Sequence, residues 1–186
     1  YYKAVFLNKN VAPETKKLLL LDRKLSPEQI LQSDRKFHSR QMVYQNFEDN
    51  GVFPDSAAMK EANGKVMQLT KESPFSPYFE VTYREMAVKE FGIIKIKARI
   101  FTTIPVDQNP ILITATFMHK GYAYYYRGYR LTTEQITPFQ WNEVEVFYLT
   151  PEVRRPEDPF RVTIWLKGDY PVYVDDVTAE ISEPIN

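Results

Sequence analysis

Strict alternation of apolar and polar residues marks several short segments of this chain. The cleanest example is 94–100, where isoleucine and alanine alternate with lysine and arginine. Shorter examples occur at 79–83, 111–117, 144–148 and 162–166. A period of two places one set of side chains in a core and the other set on the opposite face of a sheet. The pattern therefore predicts an all-β fold, an antiparallel β-sandwich built from short strands.

The segment 160–181 predicts the hairpin that closes this sandwich. Its middle, 167–171, combines glycine, aspartate and proline, which are typical of a tight turn, and we expect Gly168 to adopt positive φ there. In the second strand the apolar residues alternate in one phase before Asp175 and Asp176, and in the opposite phase after them. A change of phase within one strand predicts a β-bulge.

Residues 1–42 differ in character from the rest and predict a short, partly helical N-terminal extension. Ser26 is a suitable N-cap, a proline follows it, and Gln29 completes a capping box. We expect this helix to end near His38. The remaining residues, 43–186, then form the sandwich domain.

The charge balance limits the classes of partner. The chain has 24 basic and 24 acidic residues, whereas a nucleic-acid-binding domain usually shows a basic excess, so we predict no nucleic-acid partner. The cations of 94–100 are expected to pair with carboxylates of a neighbouring strand, such as Glu143 and Glu145. The absence of cysteine excludes a thiolate nucleophile and a zinc–thiolate site.

Two further features concern the setting of the domain. No apolar run approaches the 18 or so residues that a membrane-spanning helix needs, so we predict no membrane span in this chain. The sequence starts at Tyr1 without methionine, and we interpret it as a processed chain or as part of a longer protein. The expected setting is therefore a larger protein, with attachment to a membrane elsewhere in it left open.

Four segments of the sequence occur in the order found in one family of sandwiches. They are 45–49 (QNFED), 64–69 (GKVMQL), 141–146 (WNEVEV) and 172–181 (VYVDDVTAEI). Together they resemble the galactose-binding-like β-sandwich, the jelly roll of many carbohydrate-binding modules, over roughly residues 43–182. This resemblance implies a jelly-roll fold, but a fold by itself does not specify a ligand.

The resemblance also implies a structural Ca²⁺ between the opening strand and the last strand. The matching carboxylates are Glu48, Asp49, Asp175 and Asp176. Carboxylates combined with backbone carbonyls suit Ca²⁺, which takes six to eight oxygen ligands. The alternative is that the two aspartates accept hydrogen bonds from local N–H groups at a bulge, with Glu48 paired to a basic residue.

The tyrosine-rich segment 122–130 is the candidate ligand-binding strand. Strand periodicity places Tyr122, Tyr124 and Tyr126 on one face, and Tyr125 on the other. With Arg127 and the outward-facing Trp165, such rings could stack on sugars, as carbohydrate-binding jelly rolls do. The alternative is that these rings form core or cover an interdomain surface, because tyrosine is favoured in strands without any ligand. A shift of one residue in register would also reverse the faces.

No catalytic motif is present. The sequence lacks G-x-S-x-G, H-E-x-x-H and a P-loop, and His38 and His119 are isolated. We therefore predict no enzymatic activity, and expect a non-catalytic, extracytoplasmic binding module within a larger cell-envelope protein, with carbohydrate as the candidate ligand. The alternative is a structural or protein-interaction domain of a membrane-associated protein, with no small-molecule ligand.

Overall fold

The computed structural model of the chain describes residues 26–33, 36–54, 62, 64–86, 91–150 and 155–185. Within these ranges the chain forms nine strands and two short helices. In chain order they are α1 (Pro27–Leu31), β1 (Phe37–Gln45), β2 (Met67–Leu69), β3 (Phe79–Thr82), α2 (Tyr83–Met86), β4 (Ile93–Thr102), β5 (Ile111–His119), β6 (Tyr122–Arg130), β7 (Trp141–Leu149), β8 (Pro159–Leu166) and β9 (Val172–Pro184).

The strands form two antiparallel sheets. One has the order β1-β9-β4-β7, with β2 also pairing to β9, and the other has the order β3-β8-β5-β6. Successive strands alternate between the sheets from β2 to β5 and from β6 to β9, as in a jelly roll, whereas β1 and β2 share one sheet and β5 and β6 share the other. The predicted antiparallel sandwich is therefore confirmed. Among the described residues, no helix is long and apolar enough to cross a bilayer.

The core lies between the two sheets and follows the alternation seen in the sequence. Along β4 and β8 every second side chain is buried, while the intervening ones are partly exposed. Three rings pack at its centre, with centroids 5.2 Å apart for Phe117 and Phe160, and 5.1 Å apart for Tyr148 and Phe160. Full burial of each large apolar side chain contributes about 1.5–3 kcal/mol, so these contacts are central to the stability of the sandwich.

The N-terminal helix begins as predicted but ends early. Ser26 N–H donates to Gln29 Oε1 at 2.8 Å, and Gln29 N–H donates to Ser26 Oγ at 3.2 Å, which completes the capping box. The helix ends at Leu31, and β1 begins at Phe37, so the predicted helix end near His38 is wrong. The residues before His38 instead lead into a strand because β9 offers its edge for pairing.

This strand pairing changes the picture of the extension. β1 pairs with β9 along its whole length, and the predicted domain boundary at residue 43 falls inside it. Ile30 of α1 is buried in a small cluster with Phe91 and Ile93, so the helix packs on the sandwich. Residues 1–25 lie outside the described part of the chain.

The closing hairpin confirms one prediction and corrects another. Asp176 adopts φ 49°, and the pairing of β4 with β9 shifts between Lys97 and Arg99, which is the predicted bulge. Gly168, in contrast, is not among the residues with positive φ, so the expected reason for a glycine there is wrong. Its lack of a side chain instead leaves room for Asn109, whose Oδ1 lies 1.8 Å from where a Cβ would be.

Candidate functional site

The outer face of the four-stranded sheet carries an aromatic surface that includes two of the predicted site residues. Because directly paired residues share a face, the strand registers place its outward side chains in rows across the sheet. The first row is Arg130, Leu112, Trp165 and Phe75, the second is Gly128, Thr114 and Thr163, and the third is Tyr126, Thr116, Arg161 and Glu80.

Trp165 lies on this face, as predicted, but its ring is already in contact with two neighbours. Phe75 stacks against it, with centroids 5.4 Å apart and planes inclined by 24°, and Lys167 Nζ lies 4.5 Å from the indole centroid. Phe75 is 52% exposed, whereas Trp165 is only partly exposed. The indole therefore acts as a support that holds Phe75 and Lys167 toward solvent.

The backbone on either side of Phe75 is fixed to β8. Leu166 N–H donates to Pro74 O at 2.8 Å, and Ser76 N–H donates to Ile164 O at 2.9 Å. Ser76 Oγ also accepts from Ile164 N–H at 3.0 Å. Prolines on both sides of the Phe75–Ser76 pair restrict the segment to extended backbone. An exposed ring on a restrained backbone loses little conformational entropy when it binds a ligand.

A second exposed ring, Tyr78, lies near the other end of this face. Arg161 places its guanidinium carbon 4.4 Å from the Tyr78 ring centroid and forms an ion pair with Glu80. The ring is 54% exposed. The cation and the carboxylate satisfy each other, so this corner of the face presents an aromatic ring beside a neutralised pair.

Tyr126 completes the aromatic surface on the edge strand. A Cβ on Gly128 would lie 2.9 Å from Tyr126 Oη and 3.2 Å from Leu112 Cδ2. The tyrosine therefore lies across Gly128 toward Leu112, and the glycine provides the space that this requires. Thr114, in the same row as Gly128, donates its hydroxyl to Thr163 O at 3.0 Å. The row of small residues thus lies lower than the aromatic rows on either side.

The predicted distribution of the tyrosines is wrong at one position. The pairing of β5 with β6 shifts from Phe117–Tyr125 to Met118–Ala123, which makes Tyr124 the extra residue of a bulge. Tyr124 packs against Phe117, with centroids 6.2 Å apart, and Tyr125 packs against Tyr148 at 5.8 Å. These two rings therefore both contact the core. The bulge breaks the simple alternation on which the prediction depended.

The remaining predicted residues are divided between two environments. Arg127 pairs with Ala115 on the core side, and its guanidinium carbon lies 5.8 Å from the Tyr125 ring. A hydrogen bond with Tyr125 raises the pKa of Arg127 above its ordinary value. Tyr122 is 80% exposed near the β5–β6 turn. Of the five predicted ligand residues, the structure brings Tyr126 and Trp165 together on the outer face.

Three of the four predicted metal ligands, Glu48, Asp175 and Asp176, contact other partners. Asp175 is buried, and Arg99 Nη1 lies 3.7 Å from its carboxylate and 3.3 Å from that of Asp176. Tyr44 donates its hydroxyl to Asp176 at 2.6 Å, and Asp176 N–H donates to Asp175 Oδ1 at 2.9 Å. Glu48 accepts from Lys65 N–H at 3.3 Å. A local N–H group donates to Asp175, as in the alternative interpretation, whereas Glu48 accepts from a backbone amide and not from the side chain of a basic residue.

Electrostatics at this bulge oppose the ionised form of one aspartate. Burial, followed by the adjacent charge of Asp176, raises the pKa of Asp175 to about 6. A cavity of about 270 Å³ lies nearby, lined by residues 44–50, which include Glu48 and Asp49. Among the described residues, no group of three or more His, Cys, Asp or Glu side chains is arranged to hold a metal ion. Calcium binding stays a prediction, for which this arrangement provides no preassembled set of ligands.

The five-stranded sheet presents a contrasting outer face of paired charges. Lys97 Nζ lies 3.0 Å from Glu143 and 3.9 Å from Glu145, and Lys95 Nζ lies 3.4 Å from Glu180. The predicted pairing of the β4 cations with carboxylates of β7 is confirmed for Lys97, and β9 adds a further partner. This face is therefore occupied by internal ion pairs.

Sequence reasoning missed Phe75 and Tyr78, which lie in or next to a proline-rich segment outside the strands that the alternation predicts. The sequence signal that could have identified them is an aromatic residue on each side of a Pro-containing stretch, directly before a strand. Their neighbours on the face, Trp165 and Arg161, are far away in sequence. Only the pairing of β3 and its preceding segment with β8 brings them together.

Comparison with known proteins gives structural likenesses alone. No protein-family model matches the chain, and no curated protein matches it. Among solved structures, the CBM22-1 xylan-binding domain of Paenibacillus barcinonensis Xyn10C is similar at 12% identity, with 78% of this chain and 96% of that one covered and a TM-score of 0.46. The CBM22-1–GH10 modules of Clostridium thermocellum xylanase 10B, complexed with xylohexaose, match at 12% identity, with 79% and 28% covered and a TM-score of 0.48.

The likenesses also extend beyond carbohydrate-binding modules. The VP2 subviral particle of infectious bursal disease virus is similar at 10% identity, with 82% of this chain and 33% of that one covered and a TM-score of 0.41. The expected likeness to jelly-roll carbohydrate-binding modules is thus found. At these identities and TM-scores, no ligand is carried over from any of these proteins.

Proposed function

We propose that this chain is a non-catalytic carbohydrate-binding module, and that the outer face of its four-stranded sheet is the binding surface. The observation that supports this most is the set of exposed rings on one face: Phe75, Tyr78 and Tyr126 are each more than half exposed. Sugar rings have apolar faces that pack on aromatic side chains, while their hydroxyls hydrogen-bond to polar groups beside those rings.

The layout of the face suits an extended ligand. Two rows that contain aromatic and cationic side chains flank a lower row of Gly128, Thr114 and Thr163. Phe75 and Tyr126 lie on opposite sides of this row, near opposite edges of the sheet. A saccharide chain that crosses β8 and β5 along the lower row would contact Phe75 on one side and meet Tyr126, which lies across Gly128, at the β6 end. We also propose that the module works outside the cytoplasm as part of a larger envelope protein, where such polymers are found.

The experiment that tests this function is a glycan-array screen of the purified chain, followed by calorimetry with the bound glycans. Phe75→Ala and Tyr126→Ala should each weaken binding at least about tenfold, which corresponds to ~1.4 kcal/mol, without changing the melting temperature substantially. Phe53→Ala provides a matched control, because Phe53 is a similarly exposed ring outside this sheet, at 73% exposure. Binding unaffected by the Phe75 and Tyr126 substitutions would refute the assignment of this face.

The alternative function uses the same surface for a protein partner. Exposed Phe and Tyr side chains are also enriched at protein–protein interfaces. An array without any bound glycan, together with capture of a partner protein that is lost in Phe75→Ala, would favour this alternative. Retained glycan binding would reject it.

A further inference from the structure

The two outer faces of the sandwich differ in how their cations are paired. On the five-stranded sheet, Lys95, Lys97 and Arg99 all lie within 4 Å of carboxylates. On the four-stranded sheet, Arg161 pairs with Glu80, which is the one carboxylate in the four strands. The four strands of this sheet thus supply no further carboxylate for another cation.

Two cations beside that face have no such partner. Arg130 lies in the first row, across Leu112 from Trp165, and Lys167 follows Trp165 by two residues. Within the described part of the chain neither forms an ion pair, and in the adjacent turn Asp169 is already paired with Lys71 at 2.7 Å. Both cations are exposed, so each retains its capacity to bind an external anion.

Their positions match those of the rings. Lys167 Nζ is held 4.5 Å from the centroid of the Trp165 ring, on which Phe75 also stacks. Arg130 lies two strands away from Trp165, which is a distance of about 10 Å at the usual strand spacing. A sugar packed on Phe75 would therefore have an ammonium group at one side, and a guanidinium further along the same row.

We propose that the glycan bound here is acidic, a polysaccharide that contains uronic acids, whose carboxylates pair with Lys167 and Arg130. This inference rests on the proposed carbohydrate-binding function and adds the class of ligand. Hydrogen bonds between a cationic donor and a carboxylate are stronger than neutral ones, and guanidinium can bind a carboxylate in a bidentate manner. Rings would supply affinity for the sugar, and the two unpaired cations would supply preference for the charged form.

The test compares acidic polysaccharides with their own neutral derivatives. Polygalacturonate, alginate and hyaluronan, each beside its carboxyl-reduced form, are titrated into the purified chain at low and high salt. We expect at least one acidic form to bind about tenfold or more tightly than its reduced form, with a preference that declines as salt screens the charges. In Lys167→Gln/Arg130→Gln the two forms should bind equally.

Matched variants separate this proposal from a general effect of charge. Lys97→Gln removes the same charge on the opposite sheet and should keep the preference for the acidic form. Arg130→Gln alone, at an exposed position of the edge strand, provides a second variant if the double substitution reduces folding. A melting curve for each variant verifies that it is folded.

The outcomes that overturn the proposal are distinct from those that overturn the function. Equal binding of acidic and reduced forms, with sensitivity to Phe75→Ala, leaves a neutral-glycan module and refutes the acidic ligand. Equal binding of polyuronates, heparin and double-stranded DNA would show unspecific polyanion binding, and refutes it as well. Absence of binding to every glycan, acidic or neutral, refutes the proposed function itself.

Discussion

Replacement of Gly168 by alanine is the substitution for which the structure gives the sharpest expectation. The added methyl group would lie 1.8 Å from Asn109 Oδ1 and 2.8 Å from Asn109 Cα. Asn109 is fully buried, its amide donates to Tyr170 O at 3.1 Å, and its Oδ1 accepts from Tyr170 N–H at 3.1 Å. These two bonds connect the β4–β5 loop to the turn that follows Trp165 and Lys167.

The magnitude follows from those two bonds. A methyl group at Gly168 forces the Asn109 amide to move, and each buried group left without a partner costs about 1–3 kcal/mol. We therefore expect Gly168→Ala to lower the free energy of unfolding by about 3 kcal/mol, measured by urea denaturation with tryptophan fluorescence. Asn109→Ala alone should cost a similar amount, because it removes the same two bonds.

Gly121→Ala serves as the control, because it separates lack of space from backbone conformation. No atom lies within 4 Å of a Cβ at Gly121, but this residue has φ 83°, which an alanine adopts at a cost of about 1–2 kcal/mol. We expect Gly168→Ala to be clearly the more destabilising of the two. If it costs no more than Gly121→Ala, the close approach of Asn109 is not the reason for a glycine at this turn.

Three further predictions concern buried polar groups and the predicted calcium site. Arg99→Leu should lower the free energy of unfolding by about 3 kcal/mol at neutral pH, since it leaves Asp175 buried without a cation. Urea denaturation should show a smaller loss near pH 5, where a carboxyl with a pKa of about 6 is protonated. Tyr148→Phe should be neutral or stabilising, because its buried hydroxyl finds no hydrogen-bond partner among the described residues. Tyr129→Phe should cost about 1 kcal/mol through its lost bond to Phe147 O, and the same denaturation assay compares the two variants. If the predicted calcium binds, it should raise the melting temperature above that measured with a chelator. At a free calcium concentration of 100 times the Kd, the free energy of unfolding should rise by about 2.7 kcal/mol. An unchanged melting curve would reject calcium binding.

The fold could be predicted from the sequence wherever the deciding pattern lies within a single strand. The alternation in β4 and β8 gave both the strands and their buried faces, because a period of two is a property of each strand alone. The bulge at Asp175 and Asp176 was visible for the same reason, as a change of phase. The N-terminal boundary was not accessible, because the strand from Phe37 is stabilised by pairing with β9, which is distant in sequence.

The candidate site could be predicted only in part, for a related reason. Trp165 was placed on the correct face because its strand has no irregularity, whereas the bulge at Tyr124 removed that ring from the predicted row and brought it against the core, as Tyr125 is. Consecutive tyrosines give no change of phase, so this bulge left no trace in the pattern of residues. Phe75 entered the site through a bridge to Trp165 that no local pattern could indicate.

The distribution of charge over the two faces indicates a class of ligand that the net charge of the sequence does not. The chain has equal numbers of acidic and basic residues, so its net charge predicts no preference for an anion. The structure separates those charges by face: carboxylates from β7 and β9 neutralise the β4 cations, while β5, β6 and β8 contain none. Among the described residues, Arg130 and Lys167 are consequently left beside exposed rings with no carboxylate partner. A surface can therefore favour an anionic ligand even when the chain as a whole is neutral, because recognition depends on the charges within about a Debye length of the ligand.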